Sequence, residues 1–307
     1  MSPHQVLISA AELAARLTAG PDARGRGAEA QEGGSRGPRT VLLDVRWALG
    51  GPDGRAEYEA GHLPGAVFVD LETELAVPVA PGSPEESAGG RHPLPAREAL
   101  EASARRWGIN DGDTVVVYDA TSGQAAARAW WLLRDAGIAS VRLLDGGLAA
   151  WTRAGGRLET GTAAPVPGAV SLGEGRMQTI DAGAAAAFTE GATAGVLLDA
   201  RAGERYRGEV EPVDPRPGHI PGATSAPTAE NLAPDGTFLP ADALREHFAA
   251  LGAVPGRPVA VYCGSGVTAA HDVAALALAG IDAALYPGSY SQWSRDPSRP
   301  VATGGVR

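Results

Sequence analysis

Short, uninterrupted apolar runs recur along the chain, each followed by a stretch with helical spacing. Residues 41–44, 115–118 and 141–144 in the first half form such runs, as do 196–199, 259–262 and 283–286 in the second. They lack the polar alternation of a half-exposed strand, which predicts parallel strands covered on both faces. Between them, residues 96–107, 125–136, 239–251 and 267–279 predict helices, and Ser9-Ala10-Ala11-Glu12 has the form of a capping box opening an earlier one. The expected fold class is α/β: a parallel sheet with helices on both faces, formed twice. Two stretches fall outside the pattern. Residues 21–39, rich in Gly, Arg and Glu, predict a mobile surface insertion, and residues 79–91 a long loop.

The second formation follows from internal repetition. Val41-Leu42-Leu43-Asp44-Val45-Arg46 returns as Val196-Leu197-Leu198-Asp199-Ala200-Arg201. Gly61-His62-Leu63-Pro64-Gly65-Ala66 returns as Gly218-His219-Ile220-Pro221-Gly222-Ala223, and Thr114-Val115-Val116-Val117-Tyr118-Asp119 as Pro258-Val259-Ala260-Val261-Tyr262-Cys263. The order is kept, so two homologous domains are expected, over residues 1–158 and 176–307, with the seam in the Gly-, Ala- and Pro-rich stretch 155–177.

Composition narrows the function. Hydrophobic residues make up 44%, enough to build cores and exclude a disordered chain. No apolar run approaches the ~18 residues of a membrane span. With 26 basic against 36 acidic residues the net charge is −10, and nothing clusters Lys and Arg for a nucleic-acid backbone. The opening Met1-Ser2-Pro3-His4-Gln5 lacks the basic and apolar segments of a secretory leader, so a cytoplasmic location is expected. No cofactor is implied. The six histidines show no metal-binding spacing, and no metal is expected.

Cys263 is the single cysteine, which rules out an internal disulfide and leaves an inert buried thiol or a reactive one. It ends a predicted strand, and Gly264-Ser265-Gly266-Val267-Thr268 leads from it into a helix. Ligands bind at such strand ends in α/β folds. Glycines let the loop turn several N–H groups inward, and these with the helix dipole favour an anion, here the thiolate itself. The loop chemistry therefore favours a reactive thiol over a packed one. Asp119 occupies the corresponding place in the first half, so one half reads as catalytic and the other as scaffold. Residues 264–269 formally match a dinucleotide-binding G-x-G-x-x-A, but no acidic residue ends the next strand. A cysteine phosphatase would place an arginine where Ala269 stands, and no local signature marks a cysteine protease.

On Asp44–Arg46 with 61–66, Asp199–Arg201 with 218–223, and 262–269, both halves resemble rhodanese domains, and the whole chain resembles the two-domain sulfurtransferases. The resemblance covers nearly all of the chain except residues 21–39. It implies an inactive first domain and a catalytic second one. Cys263 would take a sulfur from a small anionic donor, 3-mercaptopyruvate or thiosulfate, hold it as a persulfide, and pass it to cyanide or to a low-molecular-weight or protein thiol. Gly264, Gly266, Val267 and Thr268 would supply amides to the sulfur, and Arg205 would bind the donor's anionic end. A second arginine is often found a few residues on, where this chain has Val213, with Arg216 nearby. The family's serine–histidine–acid relay would be Ser265, His92 and Glu72, with Glu in place of the usual Asp. Thiosulfate-type loops carry Arg and Lys directly after the cysteine; Gly264 and Ser265 bring no charge. Arg205 would then be the main cation, which favours 3-mercaptopyruvate. The alternatives are a thiosulfate-specific enzyme and a non-catalytic sulfur carrier or scaffold with the same fold. The repeated His62 and His219 read as structural, His271 as packing or surface, and Trp130 and Trp131 as core.

Overall fold

The computed structural model describes residues 6–19, 38–189 and 191–305. Most of the predicted insertion, residues 21–37, lies outside them. Two parallel sheets carry the fold. The first has β1 (Leu7–Ile8), β2 (Thr40–Asp44), β3 (Val67–Phe68), β4 (Thr114–Tyr118) and β5 (Val141–Leu144) in the order β1-β5-β4-β2-β3. The second has β6 (Val196–Asp199), β7 (Thr224–Ser225), β8 (Val259–Tyr262) and β9 (Ala284–Leu285) in the order β7-β6-β8-β9, with Thr179 bridging to Leu285 where the first sheet has β1. All strand pairs within the sheets are parallel. β4 and β8 are buried along their length, as expected of runs without polar alternation.

The four predicted helices form as Arg97–Arg106, Ala126–Asp135, Ala241–Ala250 and Ala269–Leu278. The Ser9 capping box closes reciprocally: the Ser9 amide donates to Glu12 Oε2 at 2.9 Å and the Glu12 amide to Ser9 Oγ at 3.2 Å. The stretch 79–91 is more than a loop, because it holds the helix Pro84–Gly89. Ser83 caps it, accepting from the Glu86 amide, Pro84 opens it, and Glu86 Oε2 accepts from the Gly82 amide. This is a start signal that the Gly and Ser content of the segment masks.

The repeated motifs are internal braces. Arg46 grips Asp44 and the Gly61 carbonyl; Arg201 grips Asp199 and the Gly218 carbonyl. His62 and His219 stack on Tyr58 and Tyr206, with centroids 4.0 and 3.7 Å apart, and each Nδ1 meets that tyrosine's own carbonyl. Both are buried structural residues. One buried apolar cluster runs through both halves and includes Trp130 and Trp131 with Val273 and Leu276. His271 is buried between the halves, stacked on Phe238 and bonded through Nε2 to the Ser122 carbonyl. The halves therefore meet through core rather than through a wet seam, and loops from both reach the carboxyl end of β8.

Candidate active site

Cys263 follows β8 directly, is buried, and lines a cavity of about 570 Å³ formed from both halves. Its amide donates to Ser289 Oγ, and its carbonyl accepts from Tyr290. The loop then turns sharply at Gly266, whose φ is +76°. A Cβ there would lie 2.4 Å from the Pro287 carbonyl, so only glycine fits. The turn brings the Gly266 amide to 3.1 Å from Cys263 Sγ. The amides of Ser265, Val267 and Thr268 find no acceptor among the described residues. Val267 is buried, Thr268 partly so, and both line the cavity with Gly264 and Ser265.

The first half shows the same loop filled. Asp119 is fully buried, and its carboxylate accepts from the amides of Thr121, Gly123, Ala125 and Ala126 at 2.8–2.9 Å. A turn of this type, between strand and helix, closes on an anion.

Ser265 and His92 meet across the halves, with Oγ 2.7 Å from Nδ1. Burial, then the charges of Arg128 and Arg91, push the His92 imidazole down to about 3. It is neutral at physiological pH. Glu72 does not complete a relay: it is exposed, it accepts from Trp47 Nε1 at 3.1 Å, and no hydrogen bond joins it to His92. Trp47 stands between in effect, its ring edge-on to the imidazole with centroids 5.3 Å apart.

Arg205 lies where the motif predicts, lining the cavity, with Nη2 tied to Glu211 at 2.6 Å and Asp214 at 3.3 Å. Arg216 is not a second donor contact. Its guanidinium is spent on the carbonyls of Trp293, Ser294, Asp296 and Arg299. Val213 lies away from the Cys263 cavity, on a different and open depression. The second cation is Arg91, from the first half. It lines the cavity and forms an ion pair with Asp214. The premise of a single nearby cation therefore fails.

A further residue was passed over in the sequence. Arg128 is fully buried and donates to the carbonyls of Leu75, His92 and Gly266. It thus clamps the His92 segment to the Cys263 loop. Burial lowers its guanidinium to about 10, opposed by the attraction of Cys263, and it stays charged at neutral pH. The signal in the sequence is a lone charge in the apolar run Ala125-Ala126-Ala127-Arg128-Ala129-Trp130-Trp131.

Residues 28–154 and 181–296 each match the rhodanese-like domain. The chain belongs to the rhodanese family. Among its curated relatives, a Mycobacterium tuberculosis protein named as a thiosulfate sulfurtransferase, SseB, is 50% identical over 98% of both chains. A Pseudomonas aeruginosa protein named as a 3-mercaptopyruvate sulfurtransferase is 45% identical over 97% of this chain and 98% of its own. The crystal structure of the Escherichia coli 3-mercaptopyruvate enzyme SseA superposes with a TM-score of 0.75 at 30% identity, covering 92% of this chain and 98% of that one. This rhodanese is a sulfurtransferase of the two-domain type, using a sulfur donor and a sulfur acceptor.

Proposed function

We propose that Cys263 carries the sulfur as a persulfide and that 3-mercaptopyruvate is the preferred donor. The observation that carries the donor assignment is the 2.7 Å contact between Ser265 and a neutral His92 beside the thiol. The Cys263 thiolate attacks the donor's sulfur; the new S–S bond forms as the donor's C–S bond breaks. The electron pair leaves on the pyruvate enolate, which must gain a proton. The donor's own S–H supplies it, and Ser265, polarised by His92, is placed to pass it on. The products are the Cys263 persulfide anion and pyruvate. With thiosulfate the leaving group is sulfite, which needs no proton. A Ser–His pair has work to do only in the first case.

In the second step the acceptor, cyanide or a thiolate, attacks the outer sulfur and returns Cys263 to its thiolate. Unpartnered amides around the loop support the persulfide's charge in between. A lone, unpaired thiol working in this way suits a reducing compartment, and we place the enzyme in the cytoplasm. Arg91 beside Arg205 favours a second reading, efficient use of dianionic thiosulfate, and two relatives named for the different donors bracket the choice.

The experiment is donor competition with cyanide as acceptor, reading pyruvate, sulfite and thiocyanate. A kcat/KM higher for 3-mercaptopyruvate supports the assignment; a higher value for thiosulfate refutes it. Intact mass after donor treatment should rise by one sulfur and revert with cyanide. Thiocyanate formation at an undiminished rate by Cys263→Ser would remove the persulfide from the scheme. Many turnovers per chain separate an enzyme from a carrier that loads once.

A further inference from the structure

We infer that Arg91 of the first domain joins Arg205, which the family resemblance already assigns to the donor, as a second guanidinium on the donor's anionic end, the two forming a clamp. The catalytic loop lacks charge at Gly264 and Ser265, and the clamp delivers it from outside. This rests on the reading that Cys263 receives the sulfur.

Four observations converge. Arg91 Nη2 lies 3.1 Å, and Arg205 Nη1 3.4 Å, from the point where a Cβ on Gly264 would stand. The two guanidinium groups thus flank the residue that follows the nucleophile. Neither of those nitrogens has a hydrogen-bond partner among the described residues, and Nε of both arginines is buried and unpartnered. Each guanidinium is held from behind by Asp214, which lies between them and is fully buried; Arg205 also leans on Glu211. The aspartate fixes direction and spacing while the forward nitrogens stay free, which is the preorganised fork that carboxylates and sulfonates fit.

The Arg91 backbone is fixed to the loop as well. Ser291 is fully buried; its amide donates to the Gly264 carbonyl at 2.8 Å, and its Oγ accepts from the Arg91 amide at 3.1 Å. Gly90 has φ +79°, and a Cβ on it would strike the Gly288 carbonyl at 2.4 Å. Residues 90–92 are therefore seated on the turn before Ser291, and Arg91 keeps its register with the Cys263 loop although it lies 172 positions earlier in the chain. The Gly264 position, where a charged side chain would otherwise approach the donor, is left open for these two.

The test is Arg91→Met, with Arg91→Lys beside it. Met keeps the length, and Asp214 remains paired with Arg205 and Arg295, so its buried charge is not orphaned. In steady state with cyanide, Arg91→Met should raise KM for thiosulfate about tenfold or more, and for monoanionic 3-mercaptopyruvate several-fold less, with kcat within about twofold for each. Arg91→Lys should recover part of the thiosulfate loss. Unchanged KM for both donors would overturn the clamp, as would an equal fall in kcat for both at constant KM, which is the signature of a merely structural residue. Intact mass at saturating donor reads the underlying step separately. A persulfide on Cys263 in Arg91→Met with a raised KM upholds both claims. Turnover without any Cys263 adduct in the wild type removes the carrier assignment and the clamp's stated target together.

Discussion

Replacing Ser265 by alanine should separate the two donors more sharply than any other single change. The hydroxyl is buried, lies 2.7 Å from His92 Nδ1 and sits two residues from Cys263. Its removal takes away that nitrogen's side-chain partner among the described residues. General acid–base assistance contributes about 10²–10⁴-fold, so 3-mercaptopyruvate turnover should fall by about that factor. Thiosulfate turnover, which moves no proton, should fall by no more than about threefold, the loss of one neutral contact. The acid–base character has a second signature. With the imidazole at about 3, charging it at pH 7 costs roughly 5 kcal/mol. The pair must then work through a neutral ring, and the pH profile of kcat for 3-mercaptopyruvate should show no inflection from His92 between pH 5 and 8. The assay is initial-rate pyruvate and thiocyanate formation for wild type and variant with each donor, from pH 5 to 9. Equal losses with the two donors, or an inflection near pH 6.5 that vanishes in His92→Ala, would refute the reasoning.

Arg128→Met should lower kcat with both donors about tenfold or more and destabilise the fold by about 3 kcal/mol, because the buried carbonyls of Leu75, His92 and Gly266 lose their donor. Arg128→Lys should not restore it, since one ammonium cannot span three diverging carbonyls; thermal melts and initial rates decide. Asp119→Ala should cost about 3 kcal/mol in urea unfolding, from the four amides it orphans, while sulfur loading of Cys263 stays within about twofold by intact mass. Burial lowers His271 from 6.5 to about 4, so its contribution to stability is complete above pH 6.5 and is lost as the pH falls toward 4. Between pH 7.5 and 5 the wild type should therefore lose about 2 kcal/mol more than His271→Asn.

The longer strands were legible as apolar runs buried on both faces, and the helices through the period that one-sided burial writes into the chain. β1, β3 and β7 are two residues long and leave too little pattern to detect; β9 is as short and shows only because its neighbours extend the apolar run over 283–286. That Cys263, Ser265 and Arg205 line one cavity was legible through local motifs. What escaped was contributed from far along the chain. Arg91 ends the stretch 79–91, beside His92, but nothing in its neighbours says that it faces Gly264. Arg128 sits in a helix of the other half, and its role exists only once the halves are joined. Glu72 was assigned by position, yet Trp47 takes its carboxylate, an interaction of a tryptophan 25 residues earlier. Local spacing encodes elements and loops; charges that converge from separate elements are set by how the elements dock.

The contrast between the two loops carries a thermodynamic corollary. Asp119 gives its loop a permanent anion, bonded to four amides, whereas among the described residues the Cys263 sulfur engages the Gly266 amide alone. On the proposed mechanism a persulfide extends one atom further and carries charge, as the carboxylate does, so bound sulfur would engage the Cys263 loop amides as the aspartate engages those of its own loop. Loading the enzyme and rigidifying it are then linked equilibria. On the proposed mechanism the sulfur-charged form should melt higher than the discharged one, and each turnover would alternate a tighter and a looser Cys263 loop while the Asp119 loop keeps its anion throughout.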